Sequence, residues 1–183
     1  SDKFFKRALS KSALSDIIFY RKKISRISDR KMQNFLLLAL IDSAFRGSYL
    51  RKDGSVIKIK KESKAPVGKL FKYKIRRMLK ELRKAKLPKT PCTARVGDAR
   101  KLDLPDNSID FVITSPPYLN KIEYSQIYKF EYSLFLDQPK SKISGFTGKF
   151  AATDQTIDMY FDELQRVLEE LYRVCKSGAK LAI

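Results

Sequence analysis

Apolar residues recur at helical spacing through roughly the first half of the chain and in shorter, more continuous runs after it. Between Ala13 and Ile27, Leu14, Ile17, Ile18 and Ile24 mark one side of a helix. Ser28 then stands as the cap of a second helix. In that helix Phe35 to Ile41 is apolar nearly all round, which predicts burial. The stretch is too short to span a bilayer and has polar residues on both sides. Arg51 to Lys61, with Asp53-Gly54 and alternating Val56, Lys58 and Lys60, reads either as a small hairpin or as an exposed loop. Val67 to Lys86 predicts an amphipathic helix, with Val67, Leu70, Phe71, Ile75, Met78, Leu79 and Leu82 on one face and cations largely on the others.

Beyond these helices the pattern shortens. Thr93 to Arg100 predicts a short strand ending in Gly97-Asp98, followed by Leu102, Leu104, Pro105 and the turn residues Asp106-Asn107-Ser108. Asp110 to Thr114 carries the continuous run Phe111-Val112-Ile113, typical of a strand buried on both faces of a parallel sheet. Ile127, Phe130, Glu131, Leu134 and Phe135 resume helical spacing, and Tyr124 and Tyr128 are i,i+4 neighbours on the same pattern. A polar, glycine-containing passage over 141–155 is either a lid or a surface loop. Thr156, or Asp154 slightly earlier, then caps a helix through Phe161, Leu164, Val167, Leu168, Leu171 and Val174. Lys176-Ser177-Gly178 is expected to end that helix, and Lys180 to Ile183 to begin a strand.

The most informative residues follow the run at 111–113. Ser115-Pro116-Pro117-Tyr118 puts two prolines where the strand ends, which removes two backbone donors and fixes two φ angles. The chain must leave the sheet in a stiff turn, at the carboxyl end of a strand, where open α/β sheets bind their ligands. This stretch resembles the catalytic motif of the amino-methyltransferases, and with Ser in first place and Thr114 before it, it is most like the cytosine-N4 DNA methyltransferases of restriction–modification systems. The resemblance implies methyl transfer from S-adenosylmethionine to the exocyclic amine of a flipped base, without a covalent enzyme intermediate. An amine conjugated with its ring is a poor nucleophile. Ser115 and the Pro116 carbonyl would accept its hydrogens, Pro117 would hold that carbonyl still, and Tyr118 would stack on the base. The same resemblance makes Asp98, Thr114 and Ser115 cofactor-binding candidates. Asp98 read without it is a turn or cap aspartate. Asn120 and Tyr124 are carried as pocket candidates.

The order Gly-Asp, strand, Ser-Pro-Pro-Tyr, helix, strand implies an α/β fold: a partial Rossmann-like class I methyltransferase sheet over about residues 92–183. The glycine-rich turn expected after the first strand of that family is absent. The seven glycines stand at 47, 54, 68, 97, 145, 148 and 178, and no two are separated by a single residue. An acidic residue to grip the ribose is not identifiable either. The chain stops inside its last expected strand and starts at Ser1 rather than a methionine. The expectation is therefore a fragment, or one polypeptide of a split enzyme, inactive alone, with a second polypeptide supplying the glycine-rich half.

Charge adds a partner. Residues 1–90 hold 27 Lys+Arg against 7 Asp+Glu, whereas residues 91–183 hold 12 against 13. The excess is confined to the region without the motif, which points to a polyanion there. Two regions are expected: 1–90, basic and mainly helical, and 91–183, catalytic. Lys72, Arg76, Arg77 and Lys80 are the candidate contacts to DNA or, alternatively, RNA. A non-catalytic nucleic-acid-binding subunit is the reading from another class, and no membrane partner is expected.

The chain has no histidine, which excludes imidazole catalysis and His-containing metal sites. Cys92 and Cys175 are too far apart in sequence for a metal motif, and with no signal peptide they suggest reduced thiols in the cytoplasm.

Overall fold

The computed structural model describes residues 2–54, 56–86, 90–116, 127–135 and 154–183. They divide into two units, the first made of Ser1–Pro88 and Ser125–Lys140, the second of Lys89–Tyr124 and Ser141–Ile183.

The first unit begins with α1 (Asp2–Ala8), α2 (Lys11–Ile24) and α3 (Arg30–Arg46). Caps set the starts of the longer helices. The Ser10 hydroxyl accepts from the Ala13 N–H at 3.1 Å, and the Asp29 carboxylate accepts from Lys31 and Met32 at 2.8 and 3.1 Å. The cap of α3 is thus Asp29 rather than Ser28, because a carboxylate one residue nearer the helix reaches two orphan N–H groups. The expected burial of Phe35 to Ile41 holds for Ala39 and Leu40, but Leu38 is exposed. A helix packed on one side leaves part of its circumference to water whatever the sequence there.

The segment over 51–61 is a hairpin: β1 (Leu50–Asp53) pairs antiparallel with β2 (Val56–Ile59), from Leu50 opposite Ile59 to Asp53 opposite Val56. Gly54 takes φ +56° in the connection, a conformation that strains any residue with a Cβ. The hairpin is tied down at its base, where Tyr49 N–H donates to Ala8 O at 2.8 Å and Lys60 N–H donates to Tyr49 O at 2.7 Å. Helix α4 (Val67–Lys84) then packs on α2 and α3. Its Val67 and Phe71 are buried, and Ile75 and Met78 lean on the same core. Leu79 and Leu82, expected on that inner face, are 41% and 51% exposed. The apolar stripe of α4 outruns the core that covers it.

Helix α5 (Lys129–Phe135) completes this unit. Phe130 is fully buried between Phe5 and Phe45, with ring centroids 6.4 and 6.0 Å away, and Phe135 joins the same cluster. Lys52 of β1 fastens the helix from outside. Its ammonium lies 2.6 Å from Glu131 and over the rings of Tyr128 and Phe45, at 4.0 and 4.9 Å.

In the second unit, β3 (Ile109–Ile113) runs parallel to β4 (Cys175–Ala182), which follows α6 (Asp154–Val174) without a break. The expected turn at Lys176-Ser177-Gly178 is instead inside β4. The register jumps between Ile109 opposite Cys175 and Phe111 opposite Lys180, and Gly178 accommodates the irregularity at φ +82°. The expected strand over 93–100 is not formed. Residues 91–99 are exposed, and only an isolated bridge joins Asp98 to Lys101. A strand exists only through a neighbour, and no described residue pairs with Thr93 to Val96. Burial of β3 on both faces also fails, with Phe111 52% and Ile113 78% exposed. Among the described residues of this unit, Val174 is the one fully buried hydrophobic side chain. What the described residues support is an α/β chain with two small sheets.

Because α5 fills the core of the first unit, Phe130→Ala should lower its unfolding free energy by about 3–5 kcal/mol. Urea unfolding followed by far-UV circular dichroism measures this, and an unchanged midpoint would show that α5 is not docked as described.

Candidate functional site

The last ladder bond of β3 is donated by Thr114 N–H to Ala182 O, at 3.0 Å. Ser115 is the first residue past it. It is exposed, Pro116 and Thr114 are half-buried, and among the described residues the Ser115 hydroxyl has no hydrogen-bond partner. A hydroxyl so placed is available to a ligand, and the proline after it removes the backbone donor that would otherwise compete. Thr114, Ser115 and Pro116 are therefore brought together at the carboxyl end of a parallel strand. Pro117, Tyr118, Asn120 and Tyr124 lie outside the described residues.

The start of β3 is held by an arginine. Arg173, in the last turn of α6, grips Glu170 with two nitrogens at 2.7 and 2.9 Å. The same guanidinium donates to the carbonyls of Leu102 and Leu104 at 3.2 and 3.1 Å and pairs with Asp106. Glu170 in turn accepts from the Leu102 N–H at 2.6 Å. Two backbone bonds finish the junction: Asn107 N–H to Arg173 O at 3.0 Å and Ser108 N–H to Val174 O at 2.8 Å. The loop entering β3 is thereby latched to the end of α6, from which β4 departs. The sequence shows Glu170 and Arg173 only as an i,i+3 pair. Nothing in their spacing points to residues some seventy positions earlier.

Asp98 lies in a second network. Its carboxylate accepts from the Arg100 backbone N–H at 3.0 Å and from Arg100 Nε and Nη2 at 2.9 and 2.5 Å, while Arg100 Nη1 pairs with Glu163 of α6. Asp98 is thus committed to a turn and an ion pair. The two carboxylates raise the Arg100 pKa.

Of the cations singled out for nucleic acid, Lys72, Arg76, Arg77 and Lys80 all stand on the outer side of α4. They are not equivalent. Arg77 Nε donates to Glu81 at 2.8 Å, a contact that raises its pKa, whereas Lys72, Arg76 and Lys80 have no acidic partner among the described residues. Lys74, on the inner side, lies 3.3 Å from Asp42. Cys92 is exposed and Cys175 half-buried, both as free thiols. Among the described residues no cluster of ligating side chains could hold a metal, and no helix is long and apolar enough to cross a membrane.

The chain is similar to the Type II methyltransferase M.BsoBI of Geobacillus stearothermophilus, with 26% identity over 168 residues, taking in 59% of this chain and 33% of that protein. It thus spans about a third of that relative's length. No family model matches the chain, and no solved structure matches it at a significant level.

The latch gives a pH prediction. The Arg173 guanidinium, seconded by the Leu102 N–H, holds the Glu170 carboxyl down at about 2, against an ordinary 4.5. A depressed carboxyl stabilises the fold fully above its unfolded value, and that contribution disappears as pH falls from about 4.5 toward 2. Acid titration followed by carboxyl-carbon NMR should show Glu170 ionising in that low range, and Arg173→Gln should return it toward 4.5. A Glu170 that already titrates at its ordinary value in the unaltered protein would rule the latch out.

Proposed function

We propose that this chain is the target-base half of a site-specific DNA methyltransferase of cytosine-N4 type. The observation that carries the proposal is Ser115-Pro116 standing, with an unengaged hydroxyl, just past the last ladder bond of a parallel strand. The similarity to a Type II methyltransferase supports the same reaction class. The Ser115 hydroxyl and the Pro116 carbonyl accept the two hydrogens of the target amine. Its lone pair is thereby turned out of conjugation and toward the methyl donor. Both acceptors are fixed before substrate arrives, Ser115 by the ladder behind it and Pro116 by its ring and by Pro117, so little reorganisation is needed. Tyr118, with Asn120 and Tyr124 beside it in sequence, stacks on and lines the flipped base.

The described residues do not by themselves fit S-adenosylmethionine. Asp98, which would meet its adenine amine, is occupied by Arg100, and the chain has no two glycines separated by a single residue to let a backbone approach the methionine part. In the proposed enzyme a second part, whether of the same polypeptide or of another, carries the glycine-rich turn and completes a Rossmann-like class I sheet. Asp98 and Thr114 join the cofactor site only in that assembly. The bare faces at Phe111 and Ile113 and the unpaired segment before Asp98 support this reading, since both want further strands.

The experiment is transfer of tritiated methyl groups to duplex DNA, with the modified base identified by mass spectrometry. The chain alone should transfer none, and the chain joined with a glycine-rich half should yield N4-methylcytosine. In that joined enzyme Ser115→Ala should lower kcat by about a hundredfold or more, the scale of losing one preorganised hydrogen bond at a reacting centre. Transfer by the chain alone would overturn the two-part reading, methylation of RNA would overturn the DNA reading, and full activity of Ser115→Ala would remove Ser115 from the site.

A further inference from the structure

Helix α4 carries its cations in two populations. Lys74 is answered by Asp42 and Arg77 by Glu81. Lys69, Lys72, Arg76, Lys80, Arg83 and Lys84 are exposed and have no acidic partner among the described residues. At 3.6 residues per turn the first five fall within about 80° of arc, opposite the buried Val67 and Phe71, and Lys84 flanks the row. Neighbours along the row are three or four residues apart, hence about 5–6 Å. The row runs for about 21 Å from Lys69 to Arg83, at 1.5 Å per residue. Its last part borders a shallow hollow lined by Arg76, Leu79, Lys80, Arg83 and Lys84. The hairpin before it is closer to neutral, since Lys58 pairs with Asp53, while Arg51, Lys60 and Lys64 surround Glu62.

We propose that this row is a rail for the sugar–phosphate backbone of duplex DNA. It rests on the reading of the first unit as the DNA-contacting part, and deepens that reading by naming the contact line and excluding Arg77 from it. A straight row of fixed cations matches a straight, stiff polyanion with one charge per about 1.7 Å of axis. Single strands are held differently, by aromatic platforms interleaved with cations, and Tyr73 is the exposed aromatic on the described residues of α4. Insertion into a membrane surface needs the helix's whole apolar face, and here Val67, Phe71, Ile75 and Met78 are committed to the protein core, which leaves Leu79 and Leu82. Contacts of this kind fix register and affinity and read no bases, which leaves sequence recognition to other residues.

The test is fluorescence anisotropy of the whole chain with a labelled duplex of arbitrary sequence, between 50 and 200 mM salt. No cofactor or methyl transfer is involved. Each phosphate contact contributes about 0.9 to the slope of log affinity against log salt. R76Q/K80Q/R83Q should therefore lower the slope by about 2.7, which makes the affinity lost across that fourfold salt range about 40-fold smaller. R77Q/E81Q, which removes an internally neutral pair, should leave the slope unchanged. All five positions are exposed, and a matching circular dichroism melt confirms that each variant is folded. If the wild-type chain binds duplex but both variants keep its slope, the rail is wrong and the DNA reading of the unit stands. If the wild-type chain shows no salt-dependent duplex binding, the DNA reading of the unit falls with it. Equal affinity for single-stranded RNA or anionic vesicles overturns the assignment to duplex DNA.

Discussion

The candidate site depends on one guanidinium. Arg173 joins the end of α6 to the loop entering β3, so that β3 and β4 leave the same point side by side. Without that junction the two strands are short, carry only each other as neighbours among the described residues, and have an irregular register at their start. Parallel strands need a crossover to meet at all, and here the junction is made with charge-assisted bonds rather than with buried area. The position of Ser115 follows from it, since the ladder that ends at Thr114 is the ladder that Arg173 begins.

The two units solve the stability problem in different ways. The first closes a conventional apolar core in which α5 contributes Phe130 and Phe135 although it lies far along the chain from the other helices. The segment after the candidate motif is therefore anchored within the basic unit, through Phe130 inside and the Lys52–Glu131 pair outside. The second unit leans on ion pairs and backbone bonds and leaves Phe111, Ile113, Leu181 and Ile183 in water. Exposed apolar side chains on a parallel strand pair contrast with the buried strands usual in parallel sheets.

Charge is organised on the same principle of local neutralisation. Carboxylates of the first unit answer particular cations on the hairpin and, on α4, Lys74 and Arg77, and the row from Lys69 to Arg83 is left unanswered among the described residues. A net excess spread over ninety residues becomes a directed feature only because the acidic residues are placed where they are.

Much of this was legible in the residues. Helical periodicity located α2, α3, α4 and α6, the run at 111–113 located β3, and Ser115-Pro116 at its end located the candidate site. These signals are local, arising from side-chain spacing, caps and the fixed φ of proline. The i,i+4 spacing of Arg77 and Glu81 was equally readable. What the sequence could not determine was anything that needs a distant partner. Thr93 to Arg100 has strand composition but is not a strand, for want of a neighbour. Leu79 and Leu82 have core composition but lie beyond the core. Asp98 reads as a turn or cap aspartate, or by resemblance as a cofactor ligand, but not as part of a network that runs through Arg100 to Glu163, 63 positions further on. The tertiary structure decided these outcomes because pairing, burial and neutralisation are properties of two sites at once, and their cost or gain appears only when the chain has brought both together.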